Sequence, residues 1–404
     1  MTSTAPSNKL KHTGPNVDAF NRFFASLHGH DRWHATLLPS LLAPPKHAAL
    51  INPFCEPLVL RQALAQASGT LSRVAWLKGV TAITSDQAPI SNRDAGDGDD
   101  NDEGDLTDGD KEYDDGDQRH VAKHAPFVHP LRDVHNLATY YLMDLASMMP
   151  VEALNVSPGH DVLDMCAAPG GKTLNIAYRL FPTTPTGGKH KGSLTANEPS
   201  TDRRLRLRDV LTSHLPVSIV TDHVQLTSLD GAAFTRGYKR FHRILIDAPC
   251  SSERHVLRDP SGEITKWTSS RTKTAARRQE KLLWSGLSVV LPGGTLVYAT
   301  CSLSQAENDG VVKRVLARVA KKKKRAKAKA RAAAVQESDD DESQDEDDEY
   351  DEEDDAWYNL VKVSMVRREW PIGEPTKYGW IVLPDQGQGW GPLYFAVFKC
   401  TGVE

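Results

Sequence analysis

The chain has 404 residues, 39% of them apolar, with 49 Lys and Arg against 53 Asp and Glu for a formal charge of −4 at pH 7. That length suits one large core or two modest ones, and without a run of about 18 apolar residues it has no segment to form a membrane-spanning helix. The near-neutral total hides a segregation: 13 acids against one lysine over 94–117, eight Lys or Arg from Lys321 to Arg331, and 15 acids from Glu337 to Asp355. With 94–117 and 321–355 set aside, the other 345 residues hold 25 acids and 40 bases, about +15, the balance of a protein that neutralises phosphate.

In chain order, the first 17 residues hold Ser, Thr, Lys9 and Lys11 but no acid, the composition of an organelle transit peptide rather than of a secretory signal. Phe20, Phe23, Phe24 and Leu27, then Leu37, Leu38, Leu41 and Leu42, recur at helical spacing between Ala19 and Ala67. They predict a small helical N-terminal lobe over residues 1–93, broken by Pro39, Pro44, Pro45 and Pro53. An acidic insert at 94–120 cannot bury enough apolar surface to fold by itself and is expected to be disordered. Another helical pattern runs from Leu131 to Met149.

From residue 121 to 404 the pattern is that of an α/β domain. Strands are expected at Val162–Met165, Leu194–Asn197, within Val217–Leu229, at Ile244–Ile246 and at Thr295–Ala299. Helices are expected between them at Thr173–Leu180, Asp202–His214, Lys273–Val290 and Gln305–Ala320. Such alternation implies a parallel sheet covered on both faces. Leu360–Arg368 and Tyr394–Lys399 read as added edge strands, and a basic then acidic disordered insert at 321–355 is expected to loop out before them.

The strand at Val162 runs into Cys166-Ala167-Ala168-Pro169-Gly170-Gly171-Lys172, where glycines allow close backbone approach to a ligand ahead of a helix. Gly171-Lys172-Thr173 ends like a phosphate-binding loop, but Cys166 stands where that loop needs its first glycine. Glu198 follows the second strand at the distance from which a carboxylate grips ribose hydroxyls. Asp222 and Asp230-Gly231 both lie near the third strand as acceptors for an adenine edge. Five cysteines (Cys55, Cys166, Cys250, Cys301, Cys400) form no CxxC pair and have no histidine at metal-ligand spacing, so neither a metal site nor a disulfide framework is expected, and a reducing compartment fits.

Two of those cysteines end strands: Ile246-Asp247-Ala248-Pro249-Cys250-Ser251-Ser252 and Tyr298-Ala299-Thr300-Cys301-Ser302. Two thiols beside a nucleotide-type pocket suit covalent attack on a pyrimidine, whose carbon 5 becomes nucleophilic only after addition at carbon 6. The second thiol can remove the carbon 5 proton, and Asp247 can support ring N3 or the exocyclic amine. Residue types alone leave open which thiol attacks.

Residues 140–177, with Asp247–Cys250, Arg254-His255 and Thr300-Cys301-Ser302, resemble the Nop/Sun family of RNA 5-methylcytosine methyltransferases. The likeness is greatest to its mitochondrial ribosomal RNA branch, through Phe54, Asp247 to His255, and Trp390-Gly391-Pro392-Leu393-Tyr394-Phe395. The resemblance implies a Rossmann-like class I fold dependent on S-adenosylmethionine. It implies Cys301 as nucleophile, Cys250 as the releasing thiol, and Asp247 and Lys172 beside the base. It further implies cofactor contacts from Cys166, Ala167, Ala168, Pro169, Gly170, Gly171, Lys172, Glu198, Arg203, Asp230, Gly231 and Asp247, with Asp230 preferred to Asp222. Glu198 stands where the family often has aspartate. Ribosomal RNA in an assembly intermediate, an mTERF-type helical repeat partner and a mitochondrial location are the remaining implications. A ribosome assembly factor acting mainly as an RNA-binding scaffold is the alternative.

Overall fold

Successive residues of the central strands enter opposite apolar cores, which is what turns these segments into a sheet covered on both sides. Val162 faces one core and Leu163 the other, and Leu296, Val297, Tyr298 and Ala299 alternate in the same way. The computed structural model describes residues 10, 12–87, 126–183, 192–234, 239–336, 361–366 and 368–402.

The N-terminal lobe begins with helix α1 (Pro15–His28), helical turns from His30 to Leu42, strand β1 (Ala48–Ile51), helix α2 (Pro57–Ala65), and strands β2 (Leu71–Arg73) and β3 (Ala82–Ser85). With β4 (Tyr140–Met143) these strands form a four-stranded antiparallel sheet in the order β2-β3-β1-β4. The lobe expected to be helical over 1–93 is therefore mixed, and the helix expected over Leu131–Met149 is instead β4 followed by a 3-10 turn at Leu145–Met148. The physical reason is burial. Every residue of β1 is buried, so it shows an apolar run with no period-two alternation, and its pairing with β4 is remote in sequence.

After α3 (Met149–Leu154) come β5 (Asp161–Asp164), α4 (Gly171–Leu180), β6 (Ser193–Asn197), α5 (Thr201–His214), α6 (Val217–His223) and β7 (Val224–Thr227). Thus the first half of Val217–Leu229 is helix, started after Pro216, and only its second half is strand. Then follow β8 (Phe241–Asp247), α7 (Glu253–Arg258), α8 (Ser270–Ser288), β9 (Val290–Thr300), α9 (Asp309–Gln336), β10 (Val361–Val366), β11 (Glu374–Pro375), β12 (Trp380–Val382) and β13 (Leu393–Gly402). The large sheet has nine strands in the order β11-β12-β13-β9-β8-β5-β6-β7, with β10 on β13. Strands β5 to β9 pair in parallel, and β13 lies antiparallel to β9.

From β5 the chain winds outward through β6 and β7, then crosses back to β8 and β9. The crevice above β5 and β8 is the switch point where ligands bind in open α/β sheets. Helices α8 and α9 cover one face with Leu282, Leu283, Leu287, Val311, Val312 and Val315; α3, α4 and α5 cover the other with Val151, Leu154, Leu174, Ile176, Leu207 and Leu211.

The insert expected to loop out at 321–355 is corrected in its basic half: α9 carries Lys321 to Gln336 as a continuation of the packed helix. Alanines between the lysines and the absence of glycine or proline favour that extension. The acidic half, and the insert at 94–120, lie outside the described residues.

Candidate active site

The ends of β5, β6, β7 and β8 bring their following residues to one edge of the sheet. The β5–α4 loop holds Cys166, Ala167, Ala168 and Pro169, then turns at Gly170, whose φ of 124° favours glycine. A Cβ on Gly170 would lie 2.9 Å from Val210, and one on Gly171 would lie 2.6 Å from the Tyr141 ring. These two glycines are thus required by the approach of α5 and β4, which leaves the loop backbone facing the crevice.

Three carboxylates converge there. Burial first, and then the charges of Asp164, Asp247 and Glu198, push the pKa of the Cys166 thiol up and keep it protonated. Glu198 accepts from Ser200 N at 3.0 Å and lies 3.6 Å from Arg203, which also donates to the Ala168 carbonyl at 3.1 Å. Arg203 therefore braces the glycine loop against Glu198. Lys172 reaches Asp247 at 2.7 Å, joining the start of α4 to the end of β8. Asp230 caps the turn after β7 by accepting from Ala232 N at 3.0 Å. Gly231 has a packing cause, since a Cβ there would lie 2.8 Å from Leu282. Asp222 sits on α6, ahead of β7 and so toward the other edge, bonded to Thr221.

The two strand-end cysteines meet. Cys250 Sγ and Cys301 Sγ are 2.8 Å apart, and Ser252 Oγ lies 3.4 Å from each. Parallel pairing of Asp247 with Ala299 sets the two loops side by side. Ser252 holds a left-handed φ of 49°, a strained conformation for serine that turns the chain sharply into α7. The hydrogen bond to Cys301, followed by burial, pushes the Cys250 thiol well up, so Cys250 is held protonated.

Sequence reasoning missed several members of this site. Asp164 is buried and accepts from Thr173 Oγ1 at 2.7 Å through Oδ2; burial pushes it up to about 7. It stood two residues before the glycine-loop motif, within the strand expected at Val162–Met165, and read as part of an apolar strand. Ser252 and the buried Glu253 and Glu307 carried no spacing signal. Arg254, quoted for its resemblance, binds the carbonyls of Gly391 and Ala43, while Asp144 accepts from Gly391 N at 2.9 Å. Together they fasten the Trp390-Gly391-Pro392 turn beside the site.

A parallel sheet with this strand order, an antiparallel β13 and a glycine loop after β5 is the Rossmann-like class I S-adenosylmethionine-dependent methyltransferase fold, and paired strand-end cysteines set this chain apart within it. It belongs to the 16S rRNA methyltransferase RsmB/F family, whose model matches residues 151–354. It is similar to the 5-cytosine rRNA methyltransferase NSUN4 of Xenopus laevis, 41% identical over 195 residues covering 46% of this chain and 45% of that one. The mitochondrial tRNA (cytosine(34)-C(5))-methyltransferase of Mus musculus is 30% identical over 270 residues, 65% of this chain and 64% of that one. The chain thus spans about half the length of several curated relatives it matches. NSun6 from Pyrococcus horikoshii, solved with SFG, shares the fold with a TM-score of 0.61 at 16% identity, covering 94% of this chain and 97% of that one. A methyltransferase homolog from the same organism does so at 0.56 and 20% identity, covering 98% and 99%. Among the described residues no helix is long and apolar enough to cross a membrane.

Proposed function

We propose that this protein methylates carbon 5 of a cytosine in ribosomal RNA through a covalent cysteine adduct, and that it works in mitochondria. The observation that carries the reading is the thiol pair: two sulfurs 2.8 Å apart on adjacent parallel strand ends, one of them held protonated. The names of the relatives, an rRNA and a mitochondrial tRNA cytosine methyltransferase, support the substrate class and the compartment.

The crevice fits S-adenosylmethionine in its donor set. Gly170 and Gly171 carry no side chain of their own at the loop turn, and Glu198, Asp230 and Asp247 offer carboxylates to hydroxyl and amino groups. With Cys166 to Pro169, Lys172 and Arg203 forming or bracing the walls, the bound cofactor would supply an electrophilic methyl group. Gly231 contributes through packing under that wall.

The remaining chemistry belongs to the chain. A cytosine leaves its stack to enter the site, and Asp247, held by Lys172, supports its N3 or exocyclic amine. Cys301, as thiolate, forms the sulfur–carbon 6 bond, which makes carbon 5 nucleophilic. Once carbon 5 carries the methyl group, a base removes its proton. That role falls to Cys250, or water bound to it, while the carbon 6–sulfur bond breaks and its electrons return to Cys301. Held protonated at rest, Cys250 is the poorer nucleophile of the pair, and it becomes a base only after its own proton has passed to solvent.

The basic body would hold RNA phosphate without reading sequence, leaving site choice to RNA shape and to an mTERF-type helical repeat partner on an assembly intermediate. Full-rate methylation of ribosomal RNA by the purified protein alone would remove the partner from this account.

The test uses tritiated S-adenosylmethionine with mitochondrial ribosomal RNA and, separately, transfer RNA. Wild type is expected to label cytosine in ribosomal RNA, C301A to label none, and C250A to accumulate a protein–RNA adduct. Label in C301A, or an adduct that survives in C301A but not C250A, would overturn the assignment of the nucleophile. Label in transfer RNA alone would replace the substrate, and no label in either RNA, even with assembly intermediates, would overturn the activity.

A further inference from the structure

Beneath the two thiol loops lie two carboxyl groups that the chemistry above does not use. Glu253 opens α7 directly after Cys250-Ser251-Ser252, and Glu307 follows Cys301 in the loop before α9; both are fully buried. They grip the residue after each cysteine. Ser251 N donates to Glu307 Oε2 at 3.1 Å, and Ser251 Oγ bonds both carboxyls. Ser302 Oγ lies 2.9 Å from Glu307 Oε1 and 3.2 Å from Glu253 Oε1, and Leu303 N donates to Glu253 Oε2 at 2.9 Å. Gln279 of α8 donates to Glu307 Oε2 and to the Pro249 carbonyl, both at 2.9 Å, which extends the grip to the residue before Cys250.

Hydrogen supply decides the charge of this cluster. Each serine hydroxyl has one hydrogen, yet each lies within bonding range of both carboxyls and of the other serine, 3.1 Å away. Ser302 Oγ already accepts from Ser304 N at 3.0 Å. Two hydrogens cannot fill these positions, so a carboxyl must bring another. No lysine or arginine is among the partners, and two buried carboxylates in contact cannot both ionise.

We propose that Glu253 and Glu307 share one proton and form a positioning pair that holds the Cys250 and Cys301 loops together, so that the thiols stay in register only while that proton is present. The proposal rests on the thiol reading above. Neither glutamate touches substrate. Burial first, then the charge of Glu307, pushes Glu253 up to about 7, and burial also raises Glu307. The other groups facing the pair are few. Cys250 and Cys301 present thiols from the two loops, and the Tyr298 phenol of β9 donates to the Glu307 carbonyl at 2.6 Å. Asn308, neutral, bonds Thr300 and the Ser302 carbonyl. Asp309 is turned to Tyr394, Thr376 and backbone amides of Lys377 and Tyr378. Arg314 of α9 is engaged by Glu280 at 2.8 Å and by the Ala306 carbonyl at 3.3 Å, so rising pH removes the shared proton with no cation bonded to either carboxyl, and the two carboxylates push the loops apart.

The test reads thiol proximity without RNA. Dibromobimane, which bridges neighbouring thiols, is applied from about pH 6 to about pH 9, and bridged Cys250–Cys301 peptide is measured by mass relative to total alkylation of the two cysteines. In wild type this ratio is expected to fall several-fold as the pair ionises. In E253Q, whose amide replaces the protonated carboxyl, it is expected to stay level. E307Q makes the same change from the other side and carries the test should E253Q not fold. Methyl transfer should lose the matching alkaline limb in the folded Gln variant. Parallel bridging curves in wild type and the Gln variant would overturn the pair. If wild type methylates no RNA while the bridging curves still diverge, the functional reading fails and the loop-holding pair stands.

Discussion

Asp164 shows how burial of a single carboxyl sets a pH dependence. Its folded pKa is pushed up to about 7 by burial, against an ordinary value near 4. The fold thus favours the neutral form. Its contribution to stability is whole below about pH 4 and is lost as pH rises toward about 7, on the order of a few kcal/mol. In D164N the side chain cannot ionise and the amide oxygen still accepts from Thr173. The melting-temperature difference, D164N minus wild type, is expected to grow steadily from about pH 4 to about pH 7, and a constant difference across that range would refute the assignment. At this scale the sequence was legible where a motif concentrates unusual residue types. Cys250, Cys301, Lys172, Asp247 and the glycine loop come together as their strand-end positions implied. Asp164, Glu253 and Glu307 were hidden because one carboxylate looks like any other until its burial and its partners are known.

Among elements, the helix and strand patterns from β5 to β9 were readable because each central strand is short, apolar and followed by a helix of clear period. β1 and β4 were not, since burial on both faces erases alternation and prolines suggested helix ends instead. Helix α9 was misjudged in the opposite sense. Its lysines read as a loose insert, yet the first turns are pinned by Val311, Val312, Val315 and Val319, and Arg318 lies over the Trp284 ring at 3.7 Å. Its 28 residues span about 42 Å, and the half beyond Ala320 carries only basic and small apolar residues before its last Gln. Ala326 still packs against the core, while Lys321, Lys324, Arg325, Lys327 and Arg331 are exposed, a basic surface open to water or phosphate. Replacing the exposed Lys321, Lys324, Arg325 and Lys327 with Gln should weaken RNA binding and lower the slope of log affinity against log salt by about three. The rate at saturating RNA should not change. An unaltered salt slope would show that the arm makes no phosphate contact.

At the scale of the molecule, the N-terminal lobe keeps its own sheet but is packed into both cores of the methyltransferase sheet rather than appended to them. Phe20, Phe24, Trp33, Leu37 and Leu41 share one core with Trp267, Leu283 and Tyr298, while Ala48, Leu50 and Val74 share the other with Leu245 and Val297. Polar ties follow the same path. Arg32 bonds Asp385 at 2.8 Å and Glu374 at 2.9 Å, Asn52 donates to the His214 carbonyl at 2.9 Å, and Arg258 donates to the Leu42 and Ala43 carbonyls. Strand β1 lies between β3 and β4, so removing the lobe would also strip β4 of its partner, and β4 is what packs Tyr141 against Gly171 at the crevice. A chain beginning at residue 121 is therefore expected to lose both the cooperative melting transition and cofactor binding, because burial of Phe20, Phe24, Trp33, Leu37 and Leu41 at about 1.5–3 kcal/mol each is comparable to the whole stability of an ordinary domain. Calorimetry of the truncated and full chains, each titrated with S-adenosylhomocysteine, makes the comparison. A sharp transition and retained binding in the truncated chain would mean that the lobe is a separable module after all, and that the crevice is organised by the large sheet alone.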